Sequence, residues 1–477
     1  MLLSRITRTL ALGGAFITAA IVATPSQAMP AFARQTGKAC NTCHFQHYPI
    51  LNEYGMEFKA GGYTDMGKQG EVKGKELSIP GIFNASLFTK IRYQKDNGKD
   101  GSNNAGNPIK TTHSGELQFP DEFALLIGGR VTENIGFMIE NQFAGAGLNG
   151  GGTGFLAGFK LPFTFKVGKG MKAGITPFLT DGLGASYGFE QLSTGVVRNI
   201  RSNEHRNETS AHQYVFFGGT GPVNLDAAVT DPVTGAANVK MNAGAASGIA
   251  FSLWDPSFNV AYTRWTPHHI AQAGSNIGGL GAGMLRAVWT PTIGDWSLGI
   301  GLQSYMGSNM RFINAGTIQY VDTKGTGFDV QAHGALGNMP LGIYFTHATA
   351  PGNGGAAACN ATLRTCNLFN DSVNARRASV IMGELGVIPN KATVTLAYRS
   401  ANSGTATVAD GGNDSGWTLG GTYQISQNVQ FQVDHSTRTN RADGVGRYGV
   451  TNCVAPTCIN PTTRGNAMTT LMLSAGF

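Results

Sequence analysis

From about Ile79 to Phe477 the chain repeats with a period of two, and that pattern bounds what it can fold into. Val394, Leu396 and Tyr398 alternate with Thr393, Thr395 and Arg399. Val429, Phe431 and Val433 alternate with Gln430, Gln432 and Asp434, and Phe137 and Ile139 with Met138, Glu140 and Gln142. Successive side chains of a strand point to opposite faces, so each run has one apolar and one polar face. A soluble sandwich alternates in the same way, but the spacing of the turns separates the two architectures. Short turns fall near Thr132–Asn134, Gly168–Gly170, Gly219–Val223, Asp255–Ser257, Pro291–Asp295, Gly337–Pro340, Pro389–Lys391 and Ser426–Asn428. Longer polar loops lie between them, near 94–117, 182–210, 267–279, 350–375, 402–414 and 441–465. Short turns on one rim and long loops on the other are the layout of a bacterial outer-membrane β-barrel. The predicted fold class is therefore all-β, an antiparallel barrel spanning 79–477.

Eight hairpins give sixteen strands; a strand near 79–93 and a last one at 466–477 would make eighteen. In the last, Thr469, Leu471, Leu473, Ala475 and Phe477 share one face, and the chain ends on an aromatic residue, as barrels read by outer-membrane assembly machinery do. Tyr93, Tyr262, Trp289, Trp296, Tyr398, Trp417 and Tyr423 fall near strand ends, where interfacial girdles sit. Strand parity turns Lys90, Arg92, Glu122, Arg130, Glu140, Glu384, Arg399 and Asp434 inward, because charge on a lipid face is costly. Only 13% of residues are charged and 68 of 477 are glycine, at a mean hydropathy of -0.09, which suits a barrel better than disorder.

The N-terminus reads as a secretory signal over 1–28. Arg5 and Arg8 precede an apolar stretch, Leu10 to Val22, too short for a membrane span, and Ser26-Gln27-Ala28 offers small residues for cleavage. Removing that segment takes the formal net charge from +7 to +5, with no basic stripe for nucleic acid. The remaining cysteines pair by proximity. Cys359 and Cys366, and Cys453 and Cys458, read as local disulfides in exported loops, with a four-thiolate metal site the sharper alternative.

Residues 29–78 differ in kind from the alternating repeat. Cys40-Asn41-Thr42-Cys43-His44 is a C-x-x-C-H sequence, the attachment signature of a c-type haem. Cys40 and Cys43 would hold one haem c through thioethers, and His44 would be the proximal ligand to its iron. Candidates for the distal ligand are Met56, Met66 and His47, with a residue of the barrel wall as a further one. Leu51, Tyr54 and Phe58 are spaced to share a helical face. Fifty residues bury little core alone, so the haem or a surrounding wall must supply apolar contact. His113, His205, His212, His268, His269, His347 and His435 fall in or near the long loops and read as solvated residues, with external metal binding as the sharper alternative. Gly184-Ala185-Ser186-Tyr187-Gly188 matches G-x-S-x-G, but its Gly-rich surroundings lack the strand-to-helix turn of a nucleophile elbow.

Pro30-Ala31-Phe32-Ala33-Arg34-Gln35-Thr36-Gly37, the haem pentapeptide, Phe45-Gln46-His47-Tyr48-Pro49, Leu51-Asn52, Gly55, Phe58-Lys59 and Gly62-Tyr63-Thr64 together resemble the outer-membrane cytochrome–porin fusions of iron-oxidising bacteria. The match is specific over about 35 residues and covers only layout beyond them. The resemblance implies one haem ahead of a sixteen-stranded barrel, with both termini on the periplasmic side. It implies oxidation of extracellular Fe(II) and transfer of the electron to a periplasmic c-type cytochrome or other soluble carrier. A haem left dangling in the periplasm could not reach iron held outside an apolar band ~25 Å tall. The segment is therefore expected within the barrel. A porin carrying a cytochrome plug, and uptake from another donor, are the competing readings.

Overall fold

A computed structural model of the protein describes residues 30–477 apart from 68, 76, 104–105, 107–111, 146–155, 195–209, 218–224, 230–238, 242–243, 271–278, 315–316, 353–366, 371, 406–411, 440–457, 461–462 and 464. Its framework is a closed antiparallel barrel. The first strand, Ala85–Asp96, pairs with the last, Ala467–Gly476, Phe88 standing opposite Gly476 and Tyr93 opposite Leu471. Two collinear pieces, Leu156–Lys160 and Phe163–Val167, both pair with Met171–Thr180 and make one wall position. Pro162, which cannot donate to the ladder, lies at the break between them. With those two taken as one, and with the short pieces Thr292–Ile293 and Thr317–Asp322, which pair with the ends of the long strand Trp296–Asn314, counted as its hairpin extensions, the ring has sixteen strands among the described residues.

Seven of the eight expected short turns join neighbouring strands, and the first and last strands complete the ring. The eighth, Gly219–Val223, lies outside the described residues, and a count of eighteen would need it. The strand expected near 79–93 runs instead over Ala85–Asp96, and Glu71–Gly74 pairs with Leu77–Pro80 in a small hairpin before it. Away from the short turns, Leu225–Val229, Val239–Met241 and His268–Ile270 form a three-stranded sheet, and Ser102–Asn103 pairs with Cys458–Asn460.

The two faces of the wall obey the alternation. Leu396 is 52% exposed and Leu419 58%, whereas Thr395 and Gln432 are each 1% exposed. An exposed belt of leucine, valine and phenylalanine would be costly in water and is at home against lipid chains. Inside, the wall carries ion pairs: Lys90 with Glu122, Arg92 with Asp121 at 2.6 Å, and Arg286 with Asp329 at 2.7 Å. Trp289, Trp417 and Tyr423 are exposed on the outer surface.

The segment that begins at Pro30 lies within the ring, on the side of the short turns. Five points around the wall hold it. Cys40 N–H donates to Gln427 Oε1 (2.8 Å), Arg34 donates to the Ala85 carbonyl (2.5 Å), and Phe45 stacks on His333 with ring centroids 4.0 Å apart. Lys172 pairs with Glu57 at 3.2 Å, and His47 with Glu384 at 3.0 Å. At a further point the two backbones touch. A Cβ built on Gly136 would stand 1.7 Å from the Gly62 carbonyl oxygen. Gly136→Ala is therefore expected to force the segment off the wall at a cost of at least about 1–3 kcal/mol. The check is protease cleavage within 30–66 in a barrel that still shows heat-modifiable migration; an uncut segment would count against the contact.

The upper lumen is filled as well. Thr194 donates to Asp329 (2.8 Å), and the Ser193 amide to Gln331 (3.0 Å). The Ala211 amide donates to Thr346 (3.0 Å), Tyr214 lies under Arg376 and Arg399, and Phe216 packs on Tyr305 and Phe369 at 4.6 and 5.0 Å.

Candidate haem site

Two short helices frame the pentapeptide. Pro30–Thr36 lays Phe32 against Gly128 of the wall, where a Cβ would meet the ring at 3.0 Å. Gln35, fully buried, ties the helix to the rest: its amide donates to the carbonyls of Tyr63 (2.6 Å) and Asp65 (2.8 Å), and its oxygen accepts from Asn84 (3.2 Å) and the Arg130 amide (3.1 Å). Glu53–Ala60 is capped by Asn52, whose side chain accepts from the Gly55 amide at 3.0 Å. The Asn52 amide in turn donates to the Cys43 carbonyl (3.0 Å). Gly55 sits directly on that carbonyl, and a Cβ there would approach its oxygen to 2.2 Å. The glycine is required because helix and haem motif meet backbone to backbone.

Between them Cys40–Thr42 forms a single 3-10 turn, with the Cys43 and His44 amides both donating to the Cys40 carbonyl, at 3.0 and 2.9 Å. This wrap brings Cys40, Cys43 and His44 to one side. His44 Nδ1 lies 3.2 Å from the Ile50 carbonyl. A carbonyl can only accept, so Nδ1 carries the proton and the Nε2 lone pair is left free, the tautomer a metal ligand requires. The ring edge keeps some exposure toward a cavity, yet protein surrounds it closely enough that burial lowers its pKa to about 4. Burial likewise raises the Cys43 thiol to about 11. Neither cysteine is in a disulfide.

All three open onto one cavity, with about 1380 Å³ of empty space including its open mouth. One wall is the segment, through Phe32, Cys40, Cys43, His44, Tyr48 and Phe58. The barrel strands form the other, through Phe88, Leu126, Met138 and Lys160, together with Tyr187 and Leu192 of the connection that follows the strand Met171–Thr180. Much of the cavity's surface is apolar and aromatic, and its charged lining is mixed, with Lys38, Lys59 and Lys160 as cations beside Glu122, Glu140 and Glu190, Lys59 pairing with Glu190 at 3.0 Å. The donor set and the lining thus fit a covalent haem.

The distal candidates are not gathered with His44. Met56 is buried with Leu192, Val288 and Leu51 and does not line the cavity. The reason is helical phase: Gly55, Phe58 and Lys59 face the cavity at i, i+3 and i+4, and Met56 lies about 100° round from Gly55. Met66 follows the helix and is half-buried outside the lining. His47 is fully buried and bound to Glu384. Tyr54 turns away to Asp65 (2.6 Å) and Lys38, so the helix face is set by Leu51, Gly55 and Phe58.

Several other expectations change. His113, His212, His268 and His269 are buried rather than solvated, because the long connections fold inward, and His205 lies outside the described residues. His347 and His435 sit on strands, bonded to Ser379 and Thr469. No group of three metal-ligating side chains occurs among the described residues. Ser186 stands in the single turn Ala185–Gly188, not at a strand-to-helix elbow. Cys359, Cys366 and Cys453 lie outside the described residues, as do residues 1–28, and Cys458 is placed only as part of a short strand. Tyr187 and Leu192, which close the cavity, carry no periodic signal in a Gly-rich stretch.

No protein family matches the chain, and no curated protein matches it. Among solved structures it is similar to OmpT of Vibrio cholerae, at 11% identity and a TM-score of 0.37 over 86% of this chain and 100% of that one. It is similar to OmpF of Salmonella typhi, in a complex with daunomycin, at 8% identity and a TM-score of 0.43 over 86% and 100%. The outer-membrane channel DcaP of Acinetobacter baumannii gives 11% identity and a TM-score of 0.39 over 83% and 97%. The barrel stands on its own strand pairing.

Proposed function

We propose that the protein is an outer-membrane electron conduit that oxidises extracellular Fe(II) at one covalent haem c and passes the electron to a periplasmic cytochrome or similar carrier. The observation that carries this is the shared cavity of Cys40, Cys43 and His44, inside a barrel rather than beside it. The haem supplies a one-electron centre when bound. Cys40 and Cys43 would anchor it, His44 Nε2 would hold its iron, and Lys38, Lys59 and Lys160 would balance its carboxylates. The apolar belt is the ground for membrane insertion. Short turns face the periplasm in such barrels, and the strand ends Ala85 and Gly476 belong to that rim, so both chain ends would lie there. An open porin is disfavoured by the filled lumen, where Tyr214 and Phe216 occupy the upper part and residues 30–66 the lower.

The test mixes purified haem-loaded protein with Fe(II) and follows the haem spectrum. Rapid reduction is expected. No reduction by Fe(II), with complete reduction by dithionite, would sink the proposal. In planar bilayers the protein should show no porin-sized conductance, and a large steady conductance would favour the porin reading.

A further inference from the structure

The geometry points to Met138, on the barrel strand Gly136–Gly145, as the sixth ligand of the haem iron, an assignment that rests on the proposed haem. His44 lines the cavity from the segment's side, so a second axial ligand would come from the lining that the barrel's side supplies. That lining offers Glu122, Glu140, Glu190, Lys160, Tyr187 and Met138 as groups with a donor atom. Three of the six are held by hydrogen bonds or ion pairs. Glu122 holds Lys90, Glu190 accepts from Lys59 at 3.0 Å, and Lys160 donates to the Tyr187 carbonyl at 3.2 Å. Met138 offers the thioether among them, a soft neutral donor that pairs with histidine in c-type cytochromes. Within the segment, Met56 faces Leu192 and Val288, outside the cavity.

Strand parity supports the placement. Met138 and Glu140 both line the cavity, while Ile139 belongs to the other face. Met138 stands opposite Gly128, the glycine on which Phe32 rests. The absent side chain at Gly128 lets the segment come close to this part of the wall. An imidazole–thioether pair also sets a higher potential than two imidazoles, which suits a centre that must take electrons from Fe(II). The iron would then bind the segment to the barrel by a bond as well as by packing.

The experiment compares haem-loaded wild type with Met138→Leu, Met138→His and Met56→Leu. Covalent haem is scored on denaturing gels and folding by heat-modifiable migration. The wild-type ferric spectrum should carry the thioether-to-iron charge-transfer band at the red end. Met138→Leu keeps the volume but not the sulfur, and is expected to retain covalent haem, lose that band completely and shift to high spin. Met138→His should return to low spin with a lower midpoint potential and no band; Met56→Leu should match the wild type. A haem-bearing wild type without the band, or a folded Met138→Leu protein that keeps it, overturns the assignment and leaves the haem reading standing. A wild type without covalent haem overturns both. If Met138→Leu does not fold, the wild-type band and the Met138→His potential decide, and an unchanged potential overturns the assignment.

Discussion

A His44→Ala protein is expected to keep its barrel and lose Fe(II)-dependent haem reduction to the level of buffer. The ring bonds to the Ile50 carbonyl and packs at 5.6 Å from the Tyr48 ring, both within the segment itself. No strand-to-strand contact depends on it, so heat-modifiable migration should be unchanged. Cys40 and Cys43 remain to hold the haem, and dithionite should still reduce it. What disappears is the nitrogen that, under the proposed function, would hold the iron and set its potential. Stopped-flow spectra after mixing with Fe(II) read the result directly. A variant reduced at the wild-type rate would show that another group holds the iron.

Glu384→Ala should have the largest effect on the seat of the segment. Glu384 and His47 are both fully buried, 3.0 Å apart, and the same carboxylate accepts from Thr395 at 3.3 Å. Removing one partner of a buried ion pair leaves the other uncompensated, at a cost of about 3–5 kcal/mol. That cost falls on docking, because His47 and Gln46 belong to the segment and Glu384 to the wall. Limited proteolysis should cut the variant within 30–66 while the barrel stays intact; equal resistance would refute the anchor. The anchor should also depend on pH, with a definite sign. Burial pulls the His47 imidazole down, but the Glu384 charge and hydrogen bond outweigh it, so its pKa is raised. The anchor is then fully present below the ordinary histidine value of about 6.5 and is lost as pH rises through the raised one. Wild-type protection should fade on the alkaline side, and the variant should lack that step.

The barrel was legible because its wall separates two solvents. Lipid on one side and a polar lumen on the other impose alternation at each strand, so Val394 and Thr395, or Val433 and Gln432, declare their faces without help from neighbours. The inward charges followed from the same parity: Lys90, Arg92, Glu384 and Asp434 are all buried inside. The C-x-x-C-H pentapeptide was equally legible as a motif, since its residues are adjacent in the chain, and the structure turns Cys40, Cys43 and His44 toward one cavity. What fills the lumen was not. Tyr187, Leu192, Tyr214 and Phe216 lie in connections without periodicity, and only the closed ring brings them to the segment and to Tyr305 and Phe369. Distance along the chain pointed to Met56 and Met66, but Met56 lies on a helix face turned from the cavity, and Met66, beyond the helix, is not in its lining.

The anchors of the segment also order the assembly of the molecule. Arg34 reaches the first strand at Ala85, and Cys40 reaches Gln427, near the end of the chain. A half-built ring offers the segment only half its holdfasts. Its seating therefore comes late, after the first and last strands have found each other. Protease resistance of residues 30–66 in a pulse-chase experiment would then serve as a clock for closure of the ring, lagging behind the first appearance of strand structure.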